Sequence, residues 1–229
     1  MTTRGHHGLL LGDGIWSAVV SQLNFIGADG ATSTTDDTGL RAWTFSGNAQ
    51  IDTAVNDNGT SSLLLDGTGD YITTPDADAL EASPGNLTID VSIRANTIGT
   101  LMTVASKRQI TTGAGWAIYK NANNTVGFSS FAGPVINIAS TTTVATGSFY
   151  RIRVTRSGTT WTLSINGTQE ASGTESGTPP TSSVGVYIGR DGTFSTSRDF
   201  NGWIGGFRMI KGIALPSNYT PAALPFPVG

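Results

Sequence analysis

Along the middle of the chain, apolar and polar residues alternate with a period of two. Leu87, Ile89, Val91 and Ile93 alternate with Thr88, Asp90, Ser92 and Arg94, which predicts a strand with one buried and one polar face. Tyr150, Ile152 and Val154 alternate with Arg151, Arg153 and Thr155 in the same way. Trp161, Leu163 and Ile165 repeat the pattern, as do Val184, Val186 and Ile188. Ser157-Gly158, Asn166-Gly167 and Asp191-Gly192 close runs of alternation, and such pairs supply the positive φ that tight turns require. Ser157-Gly158 makes the strands around Ile152 and Leu163 hairpin neighbours. Helical spacing is weak everywhere, and Pro75 to Ser83 offers one or two turns at most. Many short strands with regular turn signals predict an all-β, antiparallel two-sheet sandwich in one domain. Trp116, Trp161 and Trp203 fall in strand patterns and are expected in its core.

Composition sharpens this picture. The 229 residues include 34 Thr, 22 Ser and 30 Gly, against three Lys and three Glu. Thr suits strands and Gly suits turns, while residues of exposed helices are scarce. Only 13% of residues are charged and the net charge is −3, which argues against a nucleic-acid partner. No run of 18 apolar residues occurs, so no membrane-spanning helix is expected. The absence of cysteine removes disulfides, thiolate metal sites and a thiol nucleophile.

The two ends differ from the middle. The run Leu9-Leu10-Leu11 is cut by Gly12-Asp13-Gly14, so no secretory signal is predicted. The protein is expected to remain in the cytoplasm where it is made, or to leave by lysis. Residues 1–20 read as an N-terminal arm that docks on a neighbour, with an ordinary first strand behind a loose leader as the alternative. Four of the nine prolines lie in residues 216–229, which predicts an extended tail over the surface. The body between them spans residues 21–215.

Several segments carry a resemblance. Ser62-Leu63-Leu64-Leu65-Asp66-Gly67-Thr68-Gly69-Asp70-Tyr71-Ile72 resembles the S-L-x-L-D-G-x-x-D-Y-L signature of laminin-G-like, concanavalin A-like jelly rolls. Leu87 to Ile93, Gly115 to Tyr119 and Trp161 to Gly167 resemble later strands of that family in the right order. Phe200 to Arg208 resembles its closing strand, although Gly205 and Gly206 stand where an acidic pair is usual. Gly212 to Pro221 resembles the A-x-Y-x-x-N-F-T-P ending of bacteriophage members. The resemblance implies a jelly-roll sandwich over roughly residues 21 to 225. It also implies a virion structural protein, as capsid decoration or tail component, partnered by other virion proteins and by copies of itself. The alternative it implies is a carbohydrate-binding adhesin assisted by calcium, with host surface glycans as partners.

Candidate chemistry is sparse. Jelly-roll glucanases place E-x-D-x-x-E on one strand, whereas here Glu170 and Glu175 are five apart with Ser172 between them. Odd spacing along a strand sends them to opposite faces, so no catalytic residue is assigned and a glycan hydrolase is the weakest reading. His6 and His7 sit together in the arm, where a solvated pair or a metal shared on an oligomer axis are the readings. Calcium, if bound as in related lectins, would fall to Asp191 and Asp199, which bracket a Thr/Ser-rich loop. Asp66 and Asp70 are expected instead to shape their Gly-Thr-Gly turn through backbone amides. For a sugar platform the exposed aromatic candidates are Tyr119, Tyr187 and Phe194. Arg151 and Arg153, with Arg156 just beyond, read as a solvated or inter-subunit face.

Overall fold

The alternating segments around Leu87, Ile152 and Leu163 form strands, and Ser157-Gly158 and Asn166-Gly167 turn the chain between neighbours as expected. Of the run from Val184, only Tyr187–Ile188 is a strand, and Asp191-Gly192 closes no hairpin among the described residues. The computed structural model describes residues 15–57, 59, 61–109, 111–131, 136–175, 178–192 and 198–229. Within these, the first strands are β1 (Val19–Leu23), β2 (Thr44–Ser46), β3 (Gln50–Asp52), β4 (Ser62–Asp66) and β5 (Tyr71–Thr73). Then come β6 (Leu87–Ala95), β7 (Met102–Gln109), β8 (Ala114–Lys120), β9 (Thr125–Phe131) and β10 (Ile136–Thr143). The last are β11 (Tyr150–Ser157), β12 (Thr160–Ile165), β13 (Thr168–Thr174), β14 (Tyr187–Ile188) and β15 (Asn201–Lys211). The helical signal near Pro75 amounts to one 3₁₀ turn, Asp78–Leu80.

These strands build two antiparallel sheets. The first runs β13-β12-β11-β6-β15-β4-β3, with β1 also paired to β15. The second runs β10-β9-β8-β7-β14-β5-β2. In the predicted hairpin, Val154 pairs with Leu163 and Ile152 with Ile165. Asn166 and Gly167 both take positive φ in the following turn, as the sequence pair requires. The inner faces meet over a single core that contains Ile89, Val91, Trp116, Phe128, Trp161, Leu163 and Phe207. Phe128 and Trp161 stack across the sheets with centroids 4.6 Å apart.

Three expectations need correction. Trp203 is half-buried on the outer face of β15, not in the core; its indole donates to Asp52 Oδ2 at 2.7 Å. Strand β6 is buried on both faces, including Thr88, Asp90 and Ser92. The arginines of β11 are likewise not solvated. Arg153 clasps Asp90 through Nε (2.6 Å) and Nη2 (3.2 Å), and Arg208 adds a third bond to the same carboxylate at 2.7 Å. Arg151 pairs with Asp57 at 2.7 Å, and Arg156 is buried with Nη1 donating to the Gly85 carbonyl at 2.7 Å.

The cause is the C-terminal segment, which crosses this face as a strap. Thr88 Oγ1 donates to the Ile213 carbonyl (2.9 Å) and accepts from the Leu215 amide (2.9 Å). Arg153 donates to the Pro216 carbonyl, and the Tyr219 ring stacks 3.6 Å from its guanidinium carbon. Farther on, Leu224 and Phe226 are buried over Gly206, where an added Cβ would sit 3.0 Å from Leu224 and 3.1 Å from Phe226. Asn24 fixes the end reciprocally with the Phe226 backbone, at 3.0 Å and 2.7 Å. A glycine in place of the family's acidic residue therefore gives the strap its seat. Residues 15–20, expected in the arm, form a 3₁₀ turn (Trp16–Ala18) and the start of β1. The remainder of the expected arm, with His6 and His7, lies outside the described residues.

Candidate functional site

The outer face of the second sheet is built differently. Arg108 on β7 pairs with Gly115 on β8, which pairs with Phe131 on β9. One row along, Ala117 pairs with Ser129, which pairs with Asn137 on β10. Tyr119 pairs with Gly127 in the next row. Because Trp116, Ile118 and Phe128 face the core, these rows face outward. Glycine, alanine and serine at the row centres leave a depression between longer side chains. The result is a cleft of about 250 Å³ lined by Leu101, Arg108, Tyr119, Asn121, Gly127, Ser129, Phe131, Asn137 and Arg198.

Arg198 lines one side, and the residues directly after β14 pack close by. Ser106 Oγ donates to the Arg190 carbonyl (2.9 Å) and accepts from the Gly192 amide (2.8 Å), which ties this segment to the sheet. Asp191 is buried beneath it and accepts through Oδ2 from Arg108 Nη1 (3.0 Å), Arg198 Nη1 (3.1 Å) and the Tyr119 hydroxyl (3.3 Å). The guanidinium of Arg108 also lies 3.9 Å from the Phe131 ring centroid, a cation–π arrangement. Burial, reinforced by the Asp191 charge, raises the Tyr119 phenol well above the usual tyrosine range, so it is neutral here. Asp199 binds Arg190 in a fork, at 2.9 Å and 2.6 Å, and accepts from the Gly69 amide at 2.8 Å. Those bonds raise the Arg190 guanidinium above its ordinary value. Arg190 in turn covers Tyr71 at 4.1 Å, and Tyr71 stacks on Tyr187 with centroids 5.6 Å apart.

A second cleft, of about 220 Å³, opens at the loop end of the sandwich. Asp66, Gly67, Thr68, Thr97, Thr100, Leu101, Met102, Asp199 and Asn201 line it. Leu101 borders both clefts, so they adjoin across its side chain. Asp66 and Asp70 shape the neighbouring turn as expected: Asp66 accepts from the Thr68 amide (2.7 Å), and Asp70 from the Asp66 (3.0 Å) and Asn48 (2.7 Å) amides. Lys120, buried behind this end, holds the Thr100 carbonyl at 2.9 Å.

The described sequence candidates differ in role. Tyr119 borders the cleft yet is 7% exposed, so it is part of the floor and not an exposed platform. Tyr187 is half-buried beside Tyr71. Phe194 lies outside the described residues. Asp191 and Asp199 are held in separate ion pairs and not as a calcium pair: Asp191 meets Arg108 and Arg198 through Oδ2, and Asp199 meets Arg190 through both oxygens. Among the described residues no group of three or more His, Asp or Glu side chains could hold a metal. Sequence reasoning missed Arg108, Asn121, Ser129, Phe131, Asn137 and Arg198. The available signal was the row of small residues, Gly115, Ala117, Gly127 and Ser129, set opposite core positions on β8 and β9.

The profile of the concanavalin A-like lectin/glucanases superfamily matches residues 66–216. The chain belongs to this superfamily. No curated protein matches the sequence. Among solved structures, this jelly roll is similar to the binding domain of Paraclostridial Mosquitocidal Protein 1, at 15% identity and a TM-score of 0.70, over 89% of this chain and 51% of that one. It is also similar to domain 4 of AbnA, an extracellular arabinanase of Geobacillus stearothermophilus, solved with arabinotriose. There the identity is 16% and the TM-score 0.69, over 87% of this chain and 95% of that one. The receptor-binding domain of botulinum neurotoxin type G follows at 14% and 0.62, over 87% and 49%. This concanavalin A-like chain thus spans about half the length of the toxin binding domains and nearly all of the arabinanase domain.

Proposed function

We propose that this protein is a non-catalytic carbohydrate-binding module whose site is the outer cleft of the second sheet. The observation that carries the reading is the lining itself: guanidinium, amide and hydroxyl groups from Arg198, Asn121, Asn137 and Ser129 beside the Phe131 ring. Such a mixture of hydrogen-bonding edges and an apolar wall suits the two kinds of surface a sugar presents. The superfamily's name and the arabinotriose-bound neighbour support the same reading. The two glutamates of the glucanase-like spacing do not converge as that motif would need. Glu170 accepts from Thr141 and Thr142, and Glu175 is buried against Trp161 and Ser130. A glycan array, followed by calorimetric titration with and without chelator, tests the proposal. Binding that survives chelation and falls about tenfold in Phe131→Ala is expected. An array without hits in either condition, or turnover of an oligosaccharide by the pure protein, overturns it.

For its biological setting, we propose a bacteriophage virion, as capsid decoration or tail component, assembled with other virion proteins and with itself. The Gly212–Pro221 ending, similar to that of bacteriophage members, favours this setting. Since β1 begins at Val19, the informative deletion is residues 1–14, which leaves the sheet intact. Loss of particle incorporation with an unchanged melting temperature is expected; unaltered incorporation removes the arm's role. Light scattering should give a mass above one chain, and a monomer counts against self-assembly.

A further inference from the structure

We infer that Lys107 and Asp76 become joined by an amide bond between their side chains, formed by the chain itself with Glu81 as proton carrier. The inference is independent of the carbohydrate reading and concerns a covalent modification in the body of the fold.

The amine is already in place. Lys107 has no exposed side-chain surface, and its Nζ lies 2.7 Å from Asp76 Oδ1 and 2.6 Å from Glu81 Oε1. The carbonyls of Ser182 (2.6 Å) and Val184 (2.8 Å) complete a set of four oxygens. An ammonium has three protons, so one of these oxygens meets the nitrogen without a hydrogen bond of its own. A carbonyl C–O bond is about 1.2 Å long, which puts Asp76 Cγ within about 4 Å of Nζ.

The two carboxylates differ in freedom. That of Glu81 is buried and also accepts from the Ser182 amide at 3.1 Å, so it is fixed. That of Asp76 is 43% exposed, in the loop between β5 and the 3₁₀ turn. Among the described residues it bonds to Lys107 alone. It can turn its carbon toward the amine, and water can leave from it. Asp76 is therefore the acyl partner and Glu81 the proton carrier.

The reaction balances within the site. The ammonium yields a proton to Glu81, which exchanges a buried ion pair for two neutral groups at constant net charge. The Nζ lone pair attacks Asp76 Cγ to form the N–C bond, and Glu81 passes its proton to an Asp76 oxygen. A second proton travels from the nitrogen through Glu81 to the same oxygen. The C–O bond then breaks, and that oxygen leaves as water. Glu81 ends ionised as it began, with the Lys211 ammonium still donating to its backbone carbonyl. No oxidant or activated donor is consumed. Dilute groups in water do not condense in this way, but groups held so close act at an effective concentration of about 10⁵ M or more. The product fastens the loop after β5 to β7 in a chain that has no cysteine for a disulfide.

The intact mass of the full chain is the test. The protein should be one water lighter than its sequence, and a protease digest should yield a branched peptide joining Asp76 to Lys107. A folded protein of full mass overturns the inference. So does a water loss that maps elsewhere, such as a cyclic imide at Asp66-Gly67 or Asp191-Gly192, which has the same mass. Asp76→Ala should fold, because that side chain is exposed, and should keep its full mass; a variant still one water short overturns the assignment. Glu81→Gln keeps the shape but carries no proton, and should leave most of the folded protein at full mass. A folded, fully cross-linked Glu81→Gln overturns the role given to Glu81. Should that variant fail to fold, the unaltered protein and Asp76→Ala still decide whether the bond exists.

Discussion

Lys107 lies on the core side of β7 with no exposed surface, and four oxygens hold its ammonium. These are Asp76 Oδ1 (2.7 Å), Glu81 Oε1 (2.6 Å) and the carbonyls of Ser182 (2.6 Å) and Val184 (2.8 Å). Removing the charge would leave Glu81, itself buried, without its counterion. Lys107→Met should therefore cost about 3–5 kcal/mol, read as a lower midpoint in chemical denaturation. A midpoint shift of less than about 1 kcal/mol would show that the cage closes without the cation. Nothing in the alternation signals this role, because a lysine at a core position only looks like an error of register. Trp203 is the opposite case. Its pattern implied burial, yet Asp52 and the Arg94 guanidinium, 5.1 Å from the ring, accommodate it on the outer face. At the cleft, Gly127 sits where an added Cβ would stand 2.8 Å from Asn121 Nδ2. Gly127→Ala should displace that amide and weaken glycan binding several-fold while costing less than about 1 kcal/mol of stability, since the obstacle is a side-chain end. An unchanged affinity with the same melting curve would remove Asn121 from the site.

Among the elements, the strands and hairpins were the most legible, because side-chain alternation and positive-φ turn pairs are local properties of the chain. The strap was legible only in part. Proline density predicted an extended tail, but nothing local says that this tail lies over Asp90, Arg153 and Arg208. That non-local covering turned a face that reads as solvated into a buried ion-pair cluster, and it made β6 two-sided. It also gives the strap a distinctive pH dependence. Burial pushes the Tyr219 phenol up to about 12, where a tyrosine in the unfolded chain ionises near 10. The folded state thus holds this proton more tightly. The associated stability is present in full below about pH 10 and is lost as pH rises toward 12. Between those values the strap should loosen, visible as faster amide exchange at residues 215–226. Tyr219→Phe, which has no proton to lose, should keep slow exchange through the same interval. If both proteins loosen alike, the arginine–carboxylate cluster and not the phenol sets the alkaline limit.

The two outer faces of the molecule are built differently. The first sheet's face is closed by the chain itself: Tyr219 covers Arg153, and Phe226 lies 4.5 Å from the guanidinium of Arg208. Among the described residues, the second sheet's face presents a trough of small residues between arginines, amides and an aromatic wall. Of the five residues that the sequence suggested for a site, Tyr119 and Asp191 bond to each other beside that face, Tyr187 and Asp199 lie near Arg190, and Phe194 lies outside the described residues. Apart from Tyr119, the residues that line the cleft were not among those candidates. Among the lining residues, Arg108, Tyr119, Phe131 and Asn137 come from four separate strands, and only the register of β7 to β10 brings them together. This division makes stability and binding separable. Leu224 and Phe226 are buried in the strap and line neither trough cleft. Replacing both by alanine should cost about 5–8 kcal/mol if their contributions add, and less if the strap lifts as a unit. Glycan affinity, measured well below the lowered melting temperature, should match that of the intact protein. A folded double variant with weakened binding would place the ligand on the first sheet, under the strap, and would move the site to the Asp90–Arg153–Arg208 cluster.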